Sequence, residues 1–139
     1  MLLNSSTIGL FAESYTNHQV QIELNGTLSD DIIQGYKTND LILGKDGQDS
    51  IVANEGDDVI FAGSGNDITI AGNNGNDYLD GGTGADIISG NKGNDILLGS
   101  EGNDILSGGE GFDLFFCGDG NDMIIDFKLE DKKSADCES

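Results

Sequence analysis

Gly81-Gly82-Thr83-Gly84-Ala85-Asp86-Ile87-Ile88-Ser89 is one copy of a nine-residue frame that recurs along the chain. Its aspartate returns at Asp31, Asp40, Asp49, Asp58, Asp67, Asp77, Asp86, Asp95, Asp104, Asp113 and Asp122. Nine of the ten intervals are nine residues and one is ten. A unit this short cannot bury an apolar face alone, so its copies must stack into one continuous body.

With the aspartate counted as position six, position eight is apolar throughout: Ile33, Ile42, Ile51, Ile60, Leu79, Ile88, Leu97, Leu106, Phe115 and Ile124. The repeat with the extra residue places Thr69 there by simple counting. A one-residue bulge beside Ile68 restores the pattern, with Ile70 in the core and Thr69 outward, because strand side chains alternate faces. Position four is glycine from Gly47 onward, and position one is glycine in eight of the eleven copies, with Ala53, Ala62 and Cys117 the exceptions. Glycine supplies turn angles closed to most side chains. At position two, Asn54, Asn73 and Asn91 are the next most tolerant of a left-handed backbone. Six turn residues followed by three strand residues is the expected unit. Two units then form one coil, with a strand on each side and loops along both edges.

Upstream, Val20, Ile22 and Leu24 alternate with Gln19, Gln21 and Glu23, which predicts a half-buried strand covering the first coil. The chain thus divides into a capping segment (1–24), a repeat array (25–127) and a charged tail (128–139) with little reason to be ordered. Two cysteines make no disulfide framework, so Cys117 and Cys137 are expected as unpaired thiols. The alternative is a disulfide tying the tail to the last coil.

The chain carries 26 acidic residues against six basic ones, a formal net charge of −20. That argues against nucleic acid, whose recognition needs basic groups, and against anionic membrane surfaces. Met1 to Ala12 contain no positive charge and do not resemble a Sec signal peptide, and nothing approaches the length of a membrane span. Stacked loops on one edge lie roughly 4.8 Å apart, so their position-six carboxylates and turn carbonyls converge. Uncompensated, such a row repels itself. Calcium, with six to eight oxygen ligands in tolerant geometry, relieves this better than magnesium. Zinc would want histidine or thiolate, and the repeats contain no histidine.

The frame Gly-Gly-x-Gly-x-Asp-x-apolar-x resembles the calcium-binding repeats of the repeats-in-toxin (RTX) family. The resemblance covers roughly residues 26–127, through a closing Asp122-Met123-Ile124-Ile125-Asp126-Phe127. It implies an all-β, right-handed parallel β-roll with two nonapeptides per coil and Ca2+ between same-edge loops. It also implies ligation by the carboxylates of Asp49, Asp58, Asp67, Asp77, Asp86, Asp95, Asp104, Asp113 and Asp122. Loop carbonyls would complete the shells, from Gly47, Gly56, Gly63, Gly65, Gly72, Gly75, Gly81, Gly82, Gly84, Gly90, Gly93, Gly99, Gly102, Gly108, Gly109, Gly111, Gly118 and Gly120. The first two loops lack the position-four glycine, so Asp31 and Asp40 are expected to cap their turns. Lys45, Ser100 and Cys117 weaken their own loops. Six loops on one edge and five on the other leave at most nine gaps, and about five to seven ions are expected once degenerate loops are discounted.

The family implies a non-catalytic structural or interaction module that folds on calcium outside the cell, reached by type I export. The alternative is a non-catalytic fragment of a larger secreted toxin, protease or adhesin. Position seven holds Ile32, Leu41, Val59, Tyr78, Ile87, Ile96, Ile105, Leu114 and Met123, and position nine adds Leu43, Phe61, Leu98 and Phe116. These outward faces read either as a docking or self-association surface or as plain strand preference. His18 is the one histidine, and neither His-Glu-x-x-His nor Gly-x-Ser-x-Gly occurs. An ice-binding solenoid is disfavoured because position three holds a single threonine, Thr83, among mostly charged and polar residues.

Overall fold

The computed structural model describes residues 10–14 and 20–137; His18 and the first nine residues lie outside them. The strands run β1 (Leu10–Ser14), β2 (Val20–Asn25), β3 (Ile32–Gln34), β4 (Asp40–Asp46), β5 (Ser50–Glu55), β6 (Val59–Ser64) and β7 (Thr69–Asn74). They continue as β8 (Tyr78–Thr83), β9 (Ile87–Lys92), β10 (Ile96–Glu101), β11 (Ile105–Glu110), β12 (Leu114–Asp119), β13 (Met123–Ile124) and β14 (Lys132–Lys133). Even-numbered strands from β2 to β14 stack in one sheet, with β1 antiparallel to β2 at its end, and odd-numbered strands from β3 to β13 stack in the other. All pairings from β2 onward are parallel at a register of two repeats, such as Leu97↔Leu79 and Leu97↔Phe115. The molecule is an all-β parallel solenoid with two nonapeptides per coil, as the periodicity predicts. No helix occurs among the described residues, so none is long and apolar enough to cross a membrane.

Each full repeat buries three positions and leaves the rest half-buried or exposed. Position eight forms the core: Ile42, Ile51, Ile60, Ile70, Leu79, Leu97 and Leu106 are wholly buried. Removing such a side chain from water is worth about 1.5–3 kcal/mol, and the column repeats it at every turn. Positions one and six are the other two inward places, so glycine and aspartate line the same interior as isoleucine.

The extra residue forms the expected bulge. Ile70 pairs with Ile51 and Thr69 with Ser50, while Ile68 is pushed out to 59 % exposure. The Ile68 amide still donates to the Asp49 carbonyl, so the stack continues past the insertion.

Three expectations need correction. Strands span six residues rather than three, from position seven through position three of the next repeat, because coil-to-coil pairing persists where the backbone turns left-handed. Lys45, for example, has a φ of 86° and is still paired with Gly63. The tail is docked rather than unordered: β14 pairs with β12, and Ser134 donates to the Phe115 carbonyl. Cys117 and Cys137 form a disulfide, with α-carbons 5.0 Å apart, because that docking brings them face to face. The upstream strand does cover the first coil, as a parallel member of the sheet in which Leu24 pairs with Ile42.

Candidate metal centre

The position-six aspartates form two columns, one along each loop edge. Asp31, Asp49, Asp67, Asp86, Asp104 and Asp122 share one edge; Asp40, Asp58, Asp77, Asp95 and Asp113 share the other. The ten from Asp31 to Asp113 are no more than 2 % exposed. They are held there by backbone geometry. In each pair of stacked loops, the amide of the earlier aspartate donates to Oδ1 of the later one, at 2.7–3.0 Å from Asp31–Asp49 to Asp104–Asp122.

Oδ2 is different. In Asp49, Asp58, Asp67, Asp77, Asp86, Asp95, Asp104, Asp113 and Asp122 it is buried and accepts no hydrogen bond. Native interiors rarely leave a buried polar atom unpaired, and an orphan of this kind points to a missing ion or water. Nine in two rows, all carboxylate oxygens, call for positive charge. In the first two loops the corresponding oxygen is satisfied by protein. Thr27 donates to Asp31 Oδ2 through its amide (2.6 Å) and hydroxyl (2.9 Å), and the Tyr36 amide donates to Asp40 Oδ2 at 2.7 Å. Asp31 and Asp40 are turn caps, and the orphans coincide with the nine aspartates from Asp49 onward.

Position one supplies the space. A β-carbon on Gly81 would lie 2.6 Å from Asp86 Oδ2 and 3.0 Å from the carbonyl oxygen of Gly99 in the next coil. The same two kinds of oxygen border Gly44, Gly90 and Gly99. At each of these four glycines, a cradle is bordered by a carboxylate oxygen that accepts no hydrogen bond and by a main-chain carbonyl oxygen. Position four is glycine for a second reason. Gly102 has a φ of 144°, and a β-carbon there would fall on the Gly84 carbonyl oxygen, so loops can stack this closely only without side chains.

No group of three or more His, Cys, Asp or Glu side chains converges among the described residues. A cation in these cradles must therefore draw most of its shell from carbonyl oxygens, which selects a hard, geometrically tolerant ion. The carboxylates themselves are shifted toward the protonated form. Burial raises them first, the neighbouring aspartate amide pulls them back, and adjacent carboxylates raise most of them further. Asp49, Asp58, Asp95 and Asp104 reach about 6, and Asp77 and Asp86 about 7. Asp40, Asp67 and Asp113 are also raised, chiefly by burial.

Two features escaped the sequence analysis. Position five carries a second ladder of opposite sense: Asn76 accepts from the Asn94 amide, Asn94 from Phe112, Asn66 from Ala85 and Asn103 from Asn121, at 2.8–2.9 Å. Only the coil register reveals it. Asp131 continues the second column, accepting from the Asp113 amide at 3.1 Å while its other oxygen accepts from the Lys128 amide. Its signal was the nine-residue step from Asp122, masked because nothing else around it keeps the frame. A cleft of about 670 Å³ lies elsewhere, along Tyr36, Asn54, Asn73 and Asn91, and includes none of the column carboxylates.

A profile of the RTX calcium-binding nonapeptide repeat matches the chain in four copies, over residues 23–51, 35–68, 69–97 and 98–125. Neither the comparison with curated proteins nor that with solved structures finds a match.

Proposed function

The chain belongs to the RTX calcium-binding nonapeptide repeat family, and from that premise we propose that Asp49 through Asp122 hold calcium between neighbouring loops of each edge. Loop carbonyls at positions one to four complete each shell. The observation that carries this is the confinement of orphaned Oδ2 atoms to those nine aspartates, while the two frame-breaking loops satisfy theirs with Thr27 and Tyr36. Five such carboxylates on one edge and four on the other enclose four and three gaps, hence seven ions.

Bound calcium supplies the charge that allows these carboxylates to stay ionised side by side. Without it the chain must either protonate them or separate the coils. At a formal −20, separation is favoured at neutral pH, so folding and metal uptake are one event. Affinity in the range of extracellular modules, roughly 10⁻⁴ to 10⁻³ M, would leave the chain unfolded and export-competent in the cytosol and rigid outside. In this role the array acts as a non-catalytic structural or interaction module of a secreted protein, with residues 1–24 and 128–139 as its two ends. Circular dichroism in millimolar calcium and then in chelator tests the coupling. A β spectrum that survives chelation at neutral pH would refute it.

A second reading concerns partners. The outer face of the even sheet carries Leu41, Leu43, Val59, Phe61, Tyr78, Ile96, Leu98, Leu114 and Phe116, interrupted by Asp80, and Phe116 is 46 % exposed. Self-association through this face would appear as concentration-dependent sedimentation in calcium. A single monomeric species at all concentrations would exclude it.

A further inference from the structure

We infer that the Cys117–Cys137 disulfide sets the calcium affinity of the terminal loop gap between Asp104 and Asp122, giving the roll a redox-sensitive end; the inference rests on the calcium reading above. Cys117 occupies position one, the place of the cradle glycine, and is buried. Its carbonyl oxygen borders the cradle over Gly99, where Asp104 Oδ2 lies 2.5 Å from the point a β-carbon would take. One residue therefore offers a candidate ligand through its carbonyl and a covalent tether through its sulfur.

The other end of the tether lacks the apolar column that holds the coils before it. β14 consists of two exposed lysines, so it buries no aliphatic column of its own. Apart from the disulfide, the tail is fastened by scattered hydrogen bonds and by Lys132 and Lys133, whose ammonium groups rest 5.6 and 5.5 Å from the ring centroids of Phe112 and Phe127. Ser134 donates to the Phe115 carbonyl at 2.9 Å, Gly118 donates to Asp136 at 2.9 Å, and Asp113 donates to Asp131 at 3.1 Å. Such contacts open more readily at a sheet end than in its middle. The disulfide, spanning 20 residues, keeps the two partners at high local concentration. It thereby holds β12 as an interior strand and keeps the loop from Cys117 to Asp122 stacked on the loop before it.

Reduction by a dithiol transfers two electrons and two protons. The S–S bond breaks, Cys117 and Cys137 become thiols, and the dithiol closes to its own disulfide. The tail then detaches, β12 becomes an edge, and the Cys117 carbonyl is no longer fixed opposite Asp104. Linkage requires the reverse as well: calcium must make the disulfide harder to reduce by the same factor.

Calcium calorimetry on the full chain, oxidised and after dithiothreitol, is expected to show one site weakened about tenfold on reduction. The reduction potential should fall by about 30 mV in calcium relative to chelator, the tenfold factor for a two-electron couple. A chain carrying Cys117→Gly and Cys137→Ser should bind calcium with no response to dithiothreitol. Identical isotherms in both redox states, or a potential indifferent to calcium, overturn the inference while leaving the calcium reading intact. No calcium uptake in either state defeats the calcium reading itself.

Discussion

The amide of Asp86 donates to Oδ1 of Asp104 at 2.9 Å, while Oδ2 of both carboxylates is buried without a partner. One oxygen of each aspartate thus builds the stack, and the other is the one proposed to face a cation. The division of labour separates what an amide side chain can imitate from what it cannot. In Asn, Oδ1 keeps the structural bond, and Nδ2 takes the place of the orphan as a donor toward the carbonyl across the cradle.

Replacing Asp86 and Asp104 together by Asn is therefore expected to remove about one calcium from the stoichiometry measured by calorimetry. It should also raise the stability of the metal-free form, by about 1 kcal/mol per site for a neutral hydrogen bond replacing an unpaired acceptor. Chemical denaturation in chelator reads the second effect. An unchanged stoichiometry would refute the shared site, and a less stable apo form would refute the assignment of the orphan oxygens.

Acid should partly substitute for calcium. The folded-state values of Asp77 and Asp86, near 7, lie above the ordinary carboxylate range, so between about pH 4 and 7 the folded apo chain binds more protons than the unfolded one. The apo fold is then least disfavoured at or below about pH 4 and loses stability as pH rises to about 7. Calcium affinity runs the other way, weakening as pH falls through 7 and 6 because protons compete for the same oxygens. Circular dichroism in chelator at pH 4.5 and 8, with calcium titrations at pH 6 and 8, would show both trends. An apo chain more ordered at pH 8 than at pH 4.5 would contradict them.

Much of this was legible because periodicity is itself a structural fact. A nine-residue step fixes which aspartates share an edge, and position eight names the core residues, including Ile70 once the bulge is allowed. The extent of the strands was not legible. Glycine and asparagine at positions one and two read as turn residues, and only coil-to-coil bonding shows that Asn54 and Asn73 are paired across the bend. The tail is hard to read for a related reason. Lys133 stands where the core residue should be, so the apolar pattern ends although Asp131 keeps its place. The disulfide then depended on a docking that composition does not announce. Position five was invisible because its partners lie a full coil away.

Position two offers a test of backbone strain separate from metal. Lys45 adopts a φ of 86°, where its counterparts Gly63 and Gly82 on the same edge adopt similar angles with no β-carbon. Left-handed angles cost a non-glycine residue roughly 1–2 kcal/mol. Lys45→Gly and Lys45→Ala remove the same charge, so their difference isolates the backbone. The glycine variant is expected to be more stable in calcium by about 1 kcal/mol in denaturant unfolding. Equal stability would mean that this turn relaxes when the side chain is shortened.

The position-five ladder is complete on one edge and broken on the other. From Asn39 through Asp57, Asn76 and Asn94, each side chain accepts from the next loop's amide. On the opposite edge, Asp30, Asn66 and Asn103 make this bond, but Ala85, between the two asparagines, has no oxygen to offer the loop that carries Asn103. Ala85→Asn should supply a missing rung. Ala85 is exposed, so the substitution meets no packed core, and the gain should be that of one modest hydrogen bond, about 0.5–1.5 kcal/mol. Slower exchange of the Asn103 amide in calcium would locate the effect. If that amide exchanges as before while stability rises, the gain has another origin and the ladder does not carry load at this loop.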